Sequence, residues 1–450
     1  MAKEFVCDMT KGNETSLLIR FSLPMLFGNV FQQFYNMVDS IVVGNYVGKN
    51  ALAAVGMTSS LTFFYFALCN GFATGAGVLM SQYFGMKNEK RVKDALGNSI
   101  YLMLGMGILV SIISVLLAEP TLRLLNTPES IFDDALLYTR IVCGGVLAVV
   151  LYNGISAMLR ALGDSVTPLI FLIIASILNV IGDLLFVLVF HMGVAGVAVA
   201  TILAQTLSAL GCIVYAVLKN PYFRLKGENM KPDRILLMKC LRLGIPFGMQ
   251  GSLIALSCIA LQAVINRFGE NVIAAFAATS RIEQLVQQPY NSLGTAVATF
   301  TAQNLGAGNI ERVKRGYQRS TMLVVVFSLV MCGAMFLSGE AFVRLFVKDA
   351  NVIAIGGRAI RITSLFYIPL GMIYITRSLL NGAGDSAFAF VSGLAEVVGR
   401  VGFSILLAGI PALGYWAVWY TTGLTWLITG AVCMLRYAQG KWKKIVLVER

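Results

Sequence analysis

Long and almost uninterrupted apolar segments are the feature that most restricts how this chain can fold. Residues 166–190, VTPLIFLIIASILNVIGDLLFVLVF, are long and apolar enough to cross the ~30 Å hydrocarbon core of a bilayer. A backbone inside hydrocarbon must satisfy its own hydrogen bonds, so such segments fold as helices. About twelve of them follow one another along the sequence: 17–43, 52–84, 95–118, 136–159, 166–190, 193–218, 239–265, 272–300, 317–338, 356–380, 387–409 and 412–436.

Composition agrees with an all-α polytopic membrane protein. The 450 residues are 57% hydrophobic and 13% charged, with a mean hydropathy of +0.77. Soluble domains carry about 25% charged residues, and a membrane β-barrel would show short alternating segments instead. Residues 1–16 hold several charges and lack the pattern of a cleaved signal peptide, so we expect the first span to act as its own insertion signal.

The basic residues indicate an orientation. Most of the 35 Lys and Arg residues fall at the two termini and in alternate loops, above all in 85–95 and 219–242. The positive-inside rule then predicts a multi-pass protein of the plasma or inner membrane with both termini in the cytoplasm. The net charge of +13 indicates contact with anionic lipid and not with nucleic acid. The eight Cys form no C-x-x-C pair, which argues against disulfide or metal frameworks.

The sequence is duplicated. QYFGMKNEKRVKDALGNS, from residue 82, recurs as QNLGAGNIERVKRGYQRS from residue 303, and GDS at 163–165 recurs at 384–386. Both pairs are 221 residues apart. Pro24 matches Pro246 with a shift of 222. An internal repeat of this length predicts two copies of one structural unit.

Each half holds six predicted spans, so both halves enter the membrane from the same side. This predicts two parallel six-helix repeats, an arrangement known in transporters. We expect an N-terminal six-helix bundle (1–218), a cytoplasmic linker (219–238) and a C-terminal six-helix bundle (239–450) around a central cleft.

Polar side chains inside the predicted spans are the candidates for function. Asp39 ends a polar stripe on the first span, Asn179 and Asp183 lie one turn apart on the fifth, and Thr201 lies on the sixth. Charges inside a membrane are costly and usually face a cavity or a partner. Carboxylate, amide and hydroxyl oxygens suit a hard cation such as Na⁺, here at Asp39, Asn179 and Asp183. The buried carboxyls could equally carry a proton.

Further polar residues predict a substrate cavity, although hydrogen bonding between helices is an alternative role. These residues are Gln33, Tyr35, Asn36, Asn153, Ser176, Gln205, Glu283 and Gln287. The repeat places Ser404 opposite Asp183 and Arg400 opposite Asn179, so the second half does not repeat this chemistry. Glu396 and Arg400 are one turn apart, which predicts a structural ion pair.

Motifs for catalysis are absent from the sequence. GNYVGKN at 44–50 departs from the P-loop spacing, and no Ser–His or paired-aspartate arrangement lies in the spans. We therefore expect no enzymatic activity and no cofactor, and any pumping must be driven by an ion gradient.

One stretch, PMLFGNVFQQFYNMVDSIVVGNYVG (24–48), resembles the first helix of the multidrug and toxic compound extrusion (MATE) family. The duplicated halves, the residues RALGDS and TP within 160–168, and N-x-x-x-D on the fifth span strengthen the resemblance. It implies two bundles around a cleft that alternate between outward-open and inward-open forms. It also implies a cation site at Asp39, Asn179, Asp183 and Thr201.

One branch of that family also uses acids on the seventh and tenth helices. Here 246–268 and 362–380 contain none, so the sequence resembles the branch that couples through the first half. The leading hypothesis is a monomeric secondary active antiporter that exports organic, often cationic, compounds in exchange for H⁺ or Na⁺, with membrane lipids as its other contacts.

Two alternatives remain open. A flippase for a lipid-linked precursor would need a basic central cavity. The main basic residues inside the predicted spans are Arg281 and Arg400, which ranks the flippase below the antiporter. An uncoupled channel would move its substrate only down a gradient.

Overall fold

The computed structural model describes residues 7–125, 127–445 and 447–448. All regular secondary structure in these residues is helical. There are fourteen α-helices among them: α1 (Glu14–Val42), α2 (Lys49–Gly85), α3 (Glu89–Leu124), α4 (Glu129–Gly144), α5 (Val146–Ala161), α6 (Val166–Leu184), α7 (Gly193–Lys219), α8 (Arg234–Ile265), α9 (Glu270–Gly306), α10 (Ile310–Arg344), α11 (Ala350–Ser364), α12 (Tyr367–Gly382), α13 (Ser386–Ala408) and α14 (Ala417–Ala438).

Fourteen helices make twelve segments because two segments are bent pairs. Helices α4 and α5 meet at 45°, and α11 and α12 meet at 53°. The predicted spans 136–159 and 356–380 are therefore each built from two helices that meet at a bend. Gly145 separates the first pair. In the second pair Pro369 lies in the first turn of α12. The missing N–H of a proline is tolerated in a first turn, but a proline cannot extend the preceding helix α11.

By length and composition, eight single helices among the described residues can cross a membrane, and the two bent pairs raise this to ten. Helices α1 and α9 complete the twelve segments. Both carry polar residues at regular intervals, as the stripe ending at Asp39 shows for α1.

Contacts divide the chain into two units. The first unit comprises Leu23–Met249 with short segments near both termini, and the second comprises Lys11–Ser22 and residues 250–445. The divisions fall inside α1 and α8, within a few residues of Pro24 and Pro246, which the repeat pairs. Proline interrupts the hydrogen bonds of a helix and is the usual site of a bend. The domain boundaries expected from the sequence remain a prediction.

The repeated GDS motif forms the same turn twice. Gly163 and Gly384 have φ values of 87° and 84°, a left-handed conformation that only glycine adopts without strain. The Asp164 carboxylate then accepts hydrogen bonds from the backbone N–H groups of Val166 and Thr167 and so caps α6. Burial raises the pKa of Asp164, although these hydrogen bonds act in the opposite direction.

A short segment with two 3₁₀ turns joins α7 to α8. Helix α8 begins at Arg234, where the Asp233 carboxylate accepts from the N–H groups of Ile235 and Leu236 and caps the helix. The segment before it is held to α3 by Asn98. Its amide donates to the Lys231 carbonyl over 3.3 Å and accepts from the Asp233 N–H over 2.7 Å.

Two π-helical turns lie beside the candidate acids. Val43–Val47 follows α1, and Leu185–Val189 follows α6. The two turns contact each other and share an apolar cluster that includes Val43, Val187 and Val197. π-Helical turns are rare and frequently lie at functional sites.

Candidate functional site

Two carboxyls meet in the first unit. The carboxyl of Asp39 on α1 lies within hydrogen-bonding range of the carboxyl of Asp183 on α6. Asp183 has no exposed surface. The Oδ1 atoms of both residues are buried and have no hydrogen-bond partner in the described part of the chain. Buried polar atoms are almost always paired, so these two acceptors point to a proton or a cation.

An amide and a hydroxyl complete the group. In the amide orientation that satisfies its neighbours, Asn179 donates from Nδ2 to Asp183 over 3.3 Å and accepts from the Thr201 N–H over 3.2 Å. The Thr201 hydroxyl lies 3.2 Å from that amide and donates to the Val197 carbonyl over 3.0 Å. The structure therefore brings together all four residues that the resemblance implied.

Two tyrosines enclose the acids. The phenol of Tyr35 lies against the Thr201 hydroxyl and close to both carboxyls. The phenol of Tyr138, on α4, also lies close to Asp39 and Asp183. Sequence reasoning did not include Tyr138, and the only available signal was a tyrosine inside the predicted span 136–159. Aromatic rings exclude water, which strengthens every charge interaction inside the site.

The acids lack a basic partner in the part of the chain that the structure describes. Among the described side chains, no Lys or Arg pairs with Asp39 or Asp183. Two unit charges ~4 Å apart repel by about 4 kcal/mol at an effective dielectric constant of ~20. Both carboxyls can therefore be ionised at low cost only with a cation between them, and otherwise they share a proton. The oxygen donors present fit either H⁺ or Na⁺.

Other residues of the predicted cavity are dispersed. Asn36 is exposed, whereas Gln33 and Asn153 are half-buried. The Ser176 hydroxyl donates to the Leu172 carbonyl of its own helix over 2.9 Å. Gln205 keeps a buried Oε1 atom without a partner among the described residues. Their role in a substrate cavity remains a prediction.

The second unit contains a different polar cluster. Glu396 accepts from Arg400 over 3.1 Å and from Arg377 over 3.0 Å. Glu283 is buried and lies within electrostatic range of Arg400. Arg281, two residues before Glu283, is exposed. Sequence reasoning did not identify Arg377, although a basic residue inside the predicted span 356–380 was a usable signal.

Nearby, Gln287 accepts a hydrogen bond from the phenol of Tyr374 over 2.9 Å. Its side chain is therefore already engaged within the second unit.

Comparison with known proteins identifies the family. A family model described as MatE matches residues 24–185 and again residues 246–406, and the two matches begin 222 residues apart, as the duplication requires. The chain belongs to the MATE family. Members are transporters, and this MATE protein has the all-α, twelve-helix, two-repeat fold that the sequence predicted.

Relatives and solved structures cover nearly the whole MATE chain. The probable multidrug resistance protein YpnP of Bacillus subtilis is 31% identical over 98% of both chains. A MOP superfamily transporter from Pyrococcus furiosus, described as having a binding pocket of reverse polarity, gives a TM-score of 0.91 at 23% identity over 99% of both chains. An outward-facing multidrug resistance MATE transporter gives 0.91 at 22% identity, covering 100% of this chain and 99% of that one.

Proposed function

We propose that this MATE protein is a secondary active antiporter that exports organic compounds in exchange for H⁺ or Na⁺ bound at Asp39 and Asp183. The observation that carries the proposal is the contact between these two carboxyls, one half-buried and one buried, neither of which pairs with a described Lys or Arg. A site that lacks its own cation must obtain one from solution.

The coupling follows from the placement of the acids on different helices. With a proton or Na⁺ bound, the carboxyl of α1 can stay against α6, and the two π-helical turns stay in contact. When the cation leaves, the like charges repel and favour the separation of α1 from α6. A ligand shifts such an equilibrium only by its difference in affinity for the two arrangements. The contact between Asp39 and Asp183 supplies that difference, because it exists only while α1 lies against α6.

Small organic substrates are supported by the relative named for multidrug resistance. We place the protein in the plasma or inner membrane with both termini in the cytoplasm and treat it as a monomer that contacts membrane lipids. A flippase fits less well, because Arg400 pairs with Glu396 and Arg281 is exposed, which leaves no basic cluster among these residues.

The test is substrate accumulation in everted membrane vesicles under an imposed pH step or an imposed Na⁺ step, each applied alone. We expect uphill accumulation of a cationic dye with one of the two gradients, and its loss in Asp39→Asn. Ser40→Ala is the control, since Ser40 is exposed and its hydroxyl donates to its own helix at Asn36. Undiminished gradient-driven accumulation by Asp39→Asn would refute the proposal.

A further inference from the structure

The second unit retains part of the local structure of the cation site. The duplication pairs Thr201 with Thr422, at a shift of 221 residues. The Thr201 hydroxyl donates to the Val197 carbonyl over 3.0 Å, and the Thr422 hydroxyl donates to the Val418 carbonyl over 3.2 Å. Donor and acceptor are both related by the same shift. The duplication relates the two positions, and the residues around them are compared on that basis.

That comparison places Arg400 at the position of Asn179, and Ser404 at the position of Asp183. Arg400 is 6% exposed. Its guanidinium donates to Glu396 over 3.1 Å and also to the side chains of Ser257 and Cys258 on α8. A guanidinium thus stands in the second unit where the first unit has the amide beside its acids.

The charges of the second cluster compensate one another within the chain. Glu396 lies between Arg400 and Arg377, and Glu283 faces Arg400 from α9. The cluster holds two acids and two arginines. The duplication pairs these four residues with uncharged residues of the first half: Thr62, Ser156, Ala175 and Asn179.

The two units therefore differ in where the positive charge beside their acids comes from. The first has two acids in contact, each with a buried oxygen, and no described Lys or Arg paired with them. The second has buried acids whose positive partners are covalently part of the chain. A buried charge is tolerated only when it is paired, so the first unit needs an ion from solution and the second does not.

We propose that Arg400 is a tethered cation, which supplies within the second unit the positive charge that an exchangeable ion supplies in the first. The second unit then stays assembled at every ion concentration, and only the first responds to the gradient. This inference rests on the proposed cation site. It adds that removal of Arg400 uncovers a second cation site, which takes a small monovalent cation of guanidinium type.

The experiment compares three substitutions at position 400 in proteoliposomes that carry the driving ion gradient. Arg400→Lys keeps the charge, and we expect a loss of efflux of less than about threefold. Arg400→Met keeps much of the volume without the charge, and we expect a loss of roughly tenfold or more, because an unpaired buried acid remains. Arg400→Ala should lose efflux equally and regain it when millimolar guanidinium chloride is added.

Two results would overturn the tethered-cation proposal. One is efflux by Arg400→Met equal to that of Arg400→Lys, since no positive charge would then be required. The other is failure of guanidinium to restore Arg400→Ala. If the single variants fold poorly, Glu283→Gln with Arg400→Met restores the charge compensation. We expect this double variant to give more folded protein and faster efflux than Arg400→Met alone. If neither the yield nor the efflux rate is higher, the proposal is also contradicted.

A binding measurement separates this inference from the proposed function. Thermal unfolding of purified protein is followed with and without guanidinium chloride in an Asp39→Asn, Asp183→Asn background, where the first site is absent. Arg400→Ala should show a rise in Tm with guanidinium relative to sodium chloride, and Arg400→Met should show none. If the Tm does not rise, only the inference about Arg400 is overturned, and the proposed cation site at Asp39 and Asp183 is unaffected. If Asp39→Asn still shows ion-driven efflux, the proposed cation site itself is overturned.

Discussion

The carboxyl of Asp39 on α1 contacts the carboxyl of Asp183 on α6, and each leaves one buried oxygen without a described partner. Neither acid has a positive partner among the described side chains. In the proposed function the pair binds one positive charge as a single unit, and its two members are not assigned separate ions. The predictions below follow from this relationship and from the contacts around it.

The two acids should act non-additively. Asp39→Asn, Asp183→Asn and the double variant should all reduce ion-driven efflux to the same residual level, because residues that act as a unit lose their function together. Initial rates of dye transport in vesicles under the driving gradient measure this. A double variant that is slower than either single variant by the product of their effects would mean that the acids work independently.

Thr201 and Thr422 form a matched pair of test positions, because each makes the same hydrogen bond to its own helix. Thr201→Val should raise the ion concentration for half-maximal efflux roughly tenfold, which corresponds to about 1.4 kcal/mol. The reason is that Thr201→Val removes an oxygen close to the bound charge. Thr422→Val should change the ion concentration for half-maximal efflux by less than about twofold, since we propose that the second cluster exchanges no ion. Equal effects at the two positions would argue for a purely structural role of Thr201.

Tyr138 should matter through its bulk more than through its hydroxyl. Its ring lies close to both acids and packs against the apolar cluster of the π-helical turns. Tyr138→Ala should admit water, weaken the repulsion between the carboxylates and lower the ratio of ion-driven efflux to gradient-independent exchange. Tyr138→Phe should keep most of that ratio. Tyr46→Ala serves as control, because Tyr46 is 57% exposed, and an equal loss there would show a general packing effect.

Asn98 should hold the linker to α3. Asn98→Ala removes the partner of the Lys231 carbonyl and of the Asp233 N–H, at a cost of roughly 0.5–1.5 kcal/mol for each hydrogen bond. Trypsin should then cut the linker faster at Arg224, Lys226 or Arg234 in detergent-solubilised protein. Tyr101→Phe removes only one bond, to the Met230 carbonyl, and should accelerate cleavage less. Unchanged cleavage of Asn98→Ala would show that other contacts hold the linker.

The sequence predicted the twelve segments for two reasons. A backbone segment inside hydrocarbon satisfies its own hydrogen bonds by forming a helix, and the length of an apolar segment can be counted directly from the sequence. It also predicted the duplication, and the family model later matched both halves. It did not predict the bends between α4 and α5 and between α11 and α12. A bend inside an apolar run depends on where the neighbouring helices pack, and apolar length carries no information about that.

The candidate site also has features that the sequence predicted and features that only the structure revealed. Sequence alone determined that Asp39, Asn179, Asp183 and Thr201 are polar residues on three membrane-spanning helices, since their cost in hydrocarbon marks them out. Only the tertiary structure decided that the two carboxyls touch, that Tyr138 encloses them and that Arg377 and Arg400 share Glu396. The physical reason is that the charge of a buried group depends on partners from helices far away in the chain, and packing alone determines those partners.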